Sequence, residues 1–263
     1  MKIAITGSKG FLGQYVIKVL EGNTITEFNH EKNSLFSVNS LKDFVTDQDA
    51  VIHIAGLNRA TDYNLLKTNV LGTAGILEAI KQFNPKIKFI FTSSAQVLDI
   101  KNLYGVSKLE AEEIIEWYTK LTEISGIILR ISNIYGPKGK PFYNSVIATF
   151  AHLIQENKPL QINGDGNQKR DYIFVSDVAE AIKSALYCNN KFEIFDICSN
   201  TQTSLNDIIE ISSRLLGKNI AVSYNKEVPS LGDAHIQSFK RAQEILQWEP
   251  KISLEEGLRQ TFI

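Results

Sequence analysis

The chain has 263 residues, with 28 basic and 29 acidic side chains and a formal net charge of −1. That length holds one well-buried domain with an appendage rather than two full cores, and so balanced a charge leaves no electrostatic footprint for nucleic acid or an anionic membrane surface. No apolar run approaches the roughly 20 residues of a membrane span, and the first residues enter a strand without a signal h-region, so a soluble, cytoplasmic protein is expected.

Lys2 to Ile5 reads as a buried first strand, and Phe11 to Leu20 carries apolar residues at helical spacing. Between them runs Thr6-Gly7-Ser8-Lys9-Gly10-Phe11-Leu12-Gly13. A dinucleotide pyrophosphate needs a tight turn, a backbone clear of side chains and the free amides of a helix N-terminus aimed at one anion, and this stretch can supply all three. The same G-x-x-G-x-x-G spacing also serves an ordinary strand-to-helix turn. Thr24 to Phe28 reads as a second strand, followed by Asn29-His30 where dinucleotide folds usually place an acid for the adenosine ribose; no acid stands at those two positions. Lys9 is a basic residue suited to the extra phosphate of NADP(H), or else a solvated loop lysine, and NADP(H) is expected over NAD(H).

Asp49 to Ile54 is a third strand, and Ala55-Gly56 at its end would let a flat ring lie against the backbone. A strand-ending glycine is the plainer reading. A helical region from Tyr63 to Phe83 stops at Asn84-Pro85, and Lys88 to Thr92 is a fourth strand leading to Ser93-Ser94-Ala95-Gln96. Leu103 to Leu121 has a strong helical period and Ile127 to Ile131 is a fifth strand. Strands alternating with helices at this spacing predict an α/β fold: a Rossmann-type, doubly wound parallel sheet with helices on both faces.

The punctuation changes at Tyr135-Gly136-Pro137-Lys138-Gly139-Lys140-Pro141. A helix over 145–156 and the turn at 163–166 are expected to build a small lobe; the strand Asp171 to Val175, the helix Asp177 to Tyr187 and the strand Phe192 to Cys198 return to the sheet. The expected division is a dinucleotide-binding core of 1–135 and 171–200 and a substrate-binding lobe of 136–170 and 201–263. Cys188 and Cys198 lack metal spacing and read as small buried hydrophobes. His30, His53, His152 and His235 form no H-E-x-x-H pair, and no metal is expected.

Tyr104 and Lys108, four residues apart on one predicted helix, project from the same face. A lysine ammonium beside a phenol favours the phenolate and brings its pKa toward a working value. Ser94, at the end of the fourth strand, can hydrogen-bond the same substrate oxygen. On a charged helix alone, Y-x-x-x-K is more often a solvated pair.

With these residues in view, the chain resembles the short-chain dehydrogenase/reductase superfamily in its extended form, the nucleotide-sugar epimerase/dehydratase family. Thr6 to Gly13 is similar to its T-G-x-x-G-F-x-G, Val51 to Gly56 to its cofactor-contacting strand, and Asn69 with Gly72-Thr73 to its N-x-x-G-T helix. Ser94, Tyr104 and Lys108 resemble its catalytic trio. Arg130, Asn133 and Tyr135-Gly136-Pro137 resemble its R-x-x-N-x-Y-G-P, and Gly164-Asp165-Gly166 with Arg170-Asp171-Tyr172 the stretch that meets a nucleotide diphosphate. The resemblance implies cofactor contacts from Gly7, Lys9, Gly10, Phe11, Leu12, Gly13, Asn29, His30, Ala55, Gly56, Asn69, Tyr104 and Lys108. It implies substrate contacts from Ser94, Asn133 and Arg170; the alternative for Arg170 is an ion pair with Asp171. It also implies a nucleotide-sugar substrate and a homodimer paired through the Tyr104 helix.

Ala55 to Arg59 and Asn144 to Phe150 look most like the reductase domain of bifunctional capsular-polysaccharide precursor enzymes, without their cupin domain. Dehydratases of the family place Asp-Glu after the catalytic hydroxyl residue, where this chain has Ala95-Gln96. Ser94 and Tyr104 stand only ten positions apart, which predicts an open site, and Pro229 to Asp233 puts a serine where the family usually has a second diphosphate-binding arginine. The expected activity is reduction of a 4-keto nucleotide sugar in polysaccharide precursor synthesis. A 4-epimerase is the alternative, and a non-catalytic dinucleotide-binding regulator ranks below both.

Overall fold

The computed structural model describes residues 1–143, 145–228 and 232–263; Asn144 and the Pro229-Ser230-Leu231 segment, each singled out above, lie outside the described residues. In chain order, β1 (Lys2–Thr6), α1 (Phe11–Val19) and β2 (Thr24–Glu27) open the fold, and α2 (Lys42–Val45) leads to β3 (Ala50–His53). Then come α3 (Asp62–Leu66), α4 (Gly72–Phe83), β4 (Lys88–Ser94), α5 (Leu103–Leu121), β5 (Ser125–Ile131) and β6 (Asn133–Tyr135). After α6 (Val146–Gln155), β7 (Leu160–Asn163), β8 (Lys169–Phe174) and α7 (Val175–Ala185), β9 (Phe192–Ile197) follows. The chain closes with β10 (Gln202–Ser204), α8 (Leu205–Leu216), β11 (Val222–Asn225), α9 (Lys240–Leu246) and α10 (Leu254–Phe262).

The main sheet is all parallel, in the order β2-β1-β3-β4-β5-β9. Its strands read as unbroken apolar runs because both faces are covered. Alternation sends Ile3, Ile5, Ile52 and Ile90 to one core with α1, α7 and α9, and Ala4, Val51, Phe89 and Phe91 to the other with α2, α4 and α5. Each fully buried Ile or Phe contributes about 1.5–3 kcal/mol of transfer free energy. The strand order reverses at β1, so the crevice between the ends of β1 and β3 is where an open sheet of this kind binds its ligand.

One expectation changes. The strand around Asp171 does not rejoin the main sheet: β8 pairs in parallel with β6 and antiparallel with β10, forming a separate three-stranded sheet. The cause is the side chain of Asp171, buried and accepting from Ser132 Oγ at 2.6 Å, Ser199 N at 2.9 Å and Thr201 N at 3.1 Å. Those bonds hold the chain at the bend after β5 and beyond β9, so this small sheet bridges the expected core and lobe. Only α7 and β9 follow the expected return, α7 by packing in the α1 core and β9 by pairing with β5.

The helical region expected over Tyr63 to Phe83 is helical throughout, with a π-helical turn, Lys67–Leu71, between α3 and α4. The lobe has its own core of α6, α8, α10 and β7, with Phe150, Ile162, Ile208 and Leu258 buried, and β7 pairs with β11. No helix among the described residues is long and apolar enough to cross a membrane. Cys188 and Cys198 are free and buried, in keeping with their reading as small hydrophobes.

Candidate active site

The turn after β1 is shaped by glycine. Gly7 has φ +74°, and a Cβ there would stand 2.7 Å from the Ala55 nitrogen; a Cβ on Gly13 would stand 2.2 Å from the Gly7 carbonyl. These contacts let the start of α1, the turn and the end of β3 approach closely. Gly10 is the N-cap of α1 and offers no side-chain oxygen, so the first amides of the helix are uncapped by any side chain. Gly7, Gly10, Phe11 and Leu12 line one end of an open cleft of about 470 Å³. This uncapped helix end and glycine turn fit a dinucleotide pyrophosphate.

A buried polar chain locks this end in place. His53 lies 2.6 Å from Thr6 Oγ1 through Nδ1 and 3.2 Å from Thr73 Oγ1 through Nε2. Burial, with the charge of Lys108 adding to it, pulls the imidazole down to about 3, so His53 is neutral at physiological pH. Thr73 Oγ1 in turn donates to the Asn69 carbonyl at 2.7 Å.

Ser94 ends β4, while Tyr104 and Lys108 project from the first two turns of α5, and all three line the cleft. The helix starts where it does because Asn102 Oδ1 accepts from Gly105 N at 3.1 Å. Burial pushes the Tyr104 phenol up to about 12; the nearby Tyr143 adds to the rise and a hydrogen bond with Ser94 works against it. Lys108 Nζ donates to the Thr92 carbonyl at 2.8 Å and sits over the Phe91 ring. Burial brings Lys108 down to about 8, opposed by Glu112 one turn further along α5. A Cβ on Gly56 would stand 3.4 Å from Lys108 Nζ, so the ammonium lies directly under the loop after β3.

Of the residues expected to hold a cofactor, Ala55 and Gly56 also line the cleft, whereas Lys9, Gly13, Asn29, His30 and Asn69 do not. Lys9 is exposed beside the turn. Gly13 serves helix packing, and Asn29 Oδ1 is occupied by Glu31 N in a local turn. Asn69 is 2% exposed, and its amide is spent on the protein: Oδ1 accepts from Leu57 N at 2.8 Å, while Nδ2 donates to the Leu57 carbonyl at 2.8 Å and to Ser107 Oγ at 2.9 Å. Asn69 therefore positions the Gly56-Leu57 loop against α5, and it projects inward from the π turn.

At the far end of the cleft stand Asn133, Arg170, Tyr143 and His235. Arg170 makes no ion pair with Asp171; its Nη1 donates to the carbonyls of Lys169 and Gly232. Arg130 forms a forked pair with Glu112 in which Nη2 to Oε2 is 2.6 Å, and Ser93 donates to the same carboxylate. The arginine of the R-x-x-N stretch thus ties β5 and β4 to the helix bearing Tyr104.

Sequence reasoning missed two further groups. Glu27 closes β2 with its carboxylate accepting from Ser8 Oγ at 2.6 Å, so an acid does face the glycine turn, two residues before the position inspected. Gln96 lines the cleft beside Ser94 and is clamped by Asn102. The i+4 step from Lys108 to Glu112 was a legible signal; the pairings of Glu27 and Gln96 were not.

Residues 3–198 match the model of the NAD dependent epimerase/dehydratase family. The chain is 32% identical to a putative UDP-glucose 4-epimerase of Methanocaldococcus jannaschii over 304 aligned positions, covering 98% of this chain and 96% of that protein. It is 30% identical to a UDP-2-acetamido-2,6-beta-L-arabino-hexul-4-ose reductase of Pseudomonas aeruginosa over 71% of this chain, which spans 50% of that longer protein. The structure of UDP-glucose 4-epimerase from Thermotoga maritima with UDP-glucose superposes with a TM-score of 0.89 at 26% identity, covering 100% of this chain and 97% of that one.

Proposed function

The chain belongs to the NAD dependent epimerase/dehydratase family, and we propose that within it the protein is a ketoreductase acting on a 4-keto nucleotide-linked sugar with NADP(H). The observation that carries this reading is the state of Tyr104 and Lys108. With the lysine ammonium engaged by the Thr92 carbonyl and the phenol pushed up to about 12, Tyr104 holds its proton at neutral pH, as a proton donor in a reduction must.

When bound, the nicotinamide supplies hydride to the carbonyl carbon. Tyr104 Oη gives its proton to the carbonyl oxygen as that oxygen gains charge, and Ser94 Oγ hydrogen-bonds the same oxygen and orients it. The ammonium of Lys108, under Gly56, would hold the hydroxyls of the nicotinamide ribose. The first amides of α1 would hold the pyrophosphate. Arg170 presents its planar fork to a phosphate of the nucleotide. The short Ser94 to Tyr104 connection leaves the cleft open, which suits a cofactor that leaves after each turnover. Asn29 and His30 carry no carboxylate and Lys9 stands exposed beside the glycine turn, which supports NADP(H), against the Glu27 carboxylate at the end of β2. Trp117 and Leu121, exposed on the outer face of α5, support pairing of two copies through that helix.

The second reading is a nucleotide-sugar 4-epimerase, favoured by the likeness to such enzymes along nearly the whole chain. Incubation with NADPH or NADH and a panel of nucleotide-linked 4-keto sugars, followed by absorbance of the reduced cofactor, separates the two. Stoichiometric loss of NADPH is expected. Interconversion of nucleotide-linked 4-hydroxy sugars with no net consumption replaces the reductase by the epimerase.

A further inference from the structure

Gln96 stands two residues beyond Ser94 on the cleft wall, in the turn between β4 and α5. Its backbone N–H donates to Ser94 Oγ at 3.2 Å, and its carbonyl lies so close to Gly105 that a Cβ there would come within 2.9 Å. The side-chain Oε1 accepts from Asn102 Nδ2 at 2.9 Å.

That last bond fixes which way the carboxamide faces. Asn102 caps α5, so its Oδ1 must meet the Gly105 N–H. The remaining amide atom of Asn102 is purely a donor, and only the oxygen of Gln96 can answer it. Gln96 Nε2 is left with two N–H groups and no protein partner among the described residues, on a side chain lining the same cleft as Ser94 and Tyr104.

We propose, on the reading that this cleft takes a nucleotide-linked sugar, that Gln96 Nε2 donates a hydrogen bond to the sugar oxygen beside the reacting carbon and so determines specificity for sugars with an acceptor there. Ser94, Gln96 and Tyr104 line the same cleft, with Gln96 two residues beyond Ser94, so a sugar whose reacting oxygen meets Ser94 and Tyr104 would present a neighbouring oxygen toward Gln96. A carboxamide has no titrating proton and cannot draw one from an adjacent carbon. Gln96 therefore reads the ring without opening a route to elimination.

Titration calorimetry with UDP-glucose and with UDP on the full chain tests this, using Gln96→Glu and Asn102→Asp. Gln96→Glu keeps the size and the oxygen that Asn102 needs, and turns the donor into a carboxylate. Asn102→Asp keeps the cap acceptor and draws Gln96 Nε2 back toward itself, away from the sugar, with Gln96 intact. Each variant is expected to bind UDP-glucose about tenfold more weakly or worse, with UDP affinity unchanged. The Gln96→Glu loss is expected to shrink between pH 7 and pH 5, as a protonated carboxyl regains a donor. A wild-type preference for UDP-glucose that survives in both variants, or an equal loss of both ligands, overturns the proposal alone. A wild-type chain that binds neither ligand overturns the nucleotide-sugar reading and this proposal with it.

Discussion

Lys108 Nζ donates to the carbonyl oxygen of Thr92 at 2.8 Å, at a position only 4% exposed. A lysine so buried, with its pKa down at about 8, weakens the fold wherever folded and unfolded forms are both charged. The penalty is full below about pH 8 and is relieved as pH rises toward the ordinary lysine value. Lys108→Met keeps much of the stem volume and removes the charge. It is expected to raise the melting temperature at pH 7, by less at pH 10, while weakening NADPH binding. A lower melting temperature at pH 7 would show that the Thr92 bond outweighs desolvation.

Tyr104→Phe removes the hydroxyl and almost no volume. Turnover is expected to fall about 10²–10⁴-fold with cofactor affinity unchanged, because a general acid contributes on that scale. In the wild type the reduction rate is expected to decline as pH rises through about 8, where Lys108 discharges, and to vanish near 12 with Tyr104. Rates across pH 6 to 10 on purified protein check this. A rate that climbs through that range would mean that the phenolate is the working form.

Glu112 is 3% exposed and Arg130 21%, so removing one partner strands a charge. Arg130→Met is expected to cost about 3 kcal/mol in urea unfolding. The double variant Glu112→Gln/Arg130→Met is expected to cost less than the two single changes added together, because neither charge then lacks its partner. Strict additivity would mean that the forked pair does not couple β5 to α5.

How much was legible depended on the range of each interaction. The glycine turn, the strand tipped by Ser94 and the Tyr104 to Lys108 step are local patterns, and the structure sets them around one cleft. The placement of β8 was not local: the run from Asp171 to Val175 is apolar enough for the main sheet, and only the bonds from Ser132, Ser199 and Thr201 send it elsewhere. Asn69 stands out in the N-x-x-G-T stretch, but its direction depends on a π turn that a helical period does not encode. Lys108 shares a helix face with Tyr104, as the spacing requires, yet the Thr92 carbonyl competes for its ammonium.

Arg170 lines the cleft with its guanidinium anchored on backbone carbonyls, and the neighbouring Asp171 is occupied elsewhere. Its charge is thus paired with no carboxylate among the described residues and is available to phosphate. Arg170→Ala is expected to weaken UDP binding at least about tenfold, whereas Gln96→Glu leaves it unchanged. Calorimetry with UDP alone distinguishes the nucleotide end of the cleft from the sugar end. Wild-type affinity in Arg170→Ala would remove the phosphate role.

The choice of cofactor is expected to turn on two charges beside the glycine turn. Glu27, at the end of β2, accepts from Ser8 Oγ at 2.6 Å, and Lys9 is exposed on the next residue of the turn. A carboxylate at a strand end favours the two ribose hydroxyls of NAD(H) and repels the extra phosphate of NADP(H); a lysine does the reverse. Glu27 keeps its negative charge while it accepts from Ser8, and Lys9 has no acidic partner among the described residues, so the proposed use of NADP(H) requires Lys9 to outweigh Glu27. Lys9→Ala is expected to weaken NADPH several-fold and leave NADH alone, since an exposed cation in water contributes little more than that. Glu27→Gln keeps an acceptor for Ser8 and removes the repulsion, so it is expected to tighten NADPH further with little change for NADH. Dissociation constants for both cofactors, read from nicotinamide fluorescence at low and at high salt, check the pair. The Lys9 effect is expected to fade at high salt. A wild type that prefers NADH, with Glu27→Gln losing that preference, would assign Glu27 to the adenosine ribose and return the balance of argument to the epimerase.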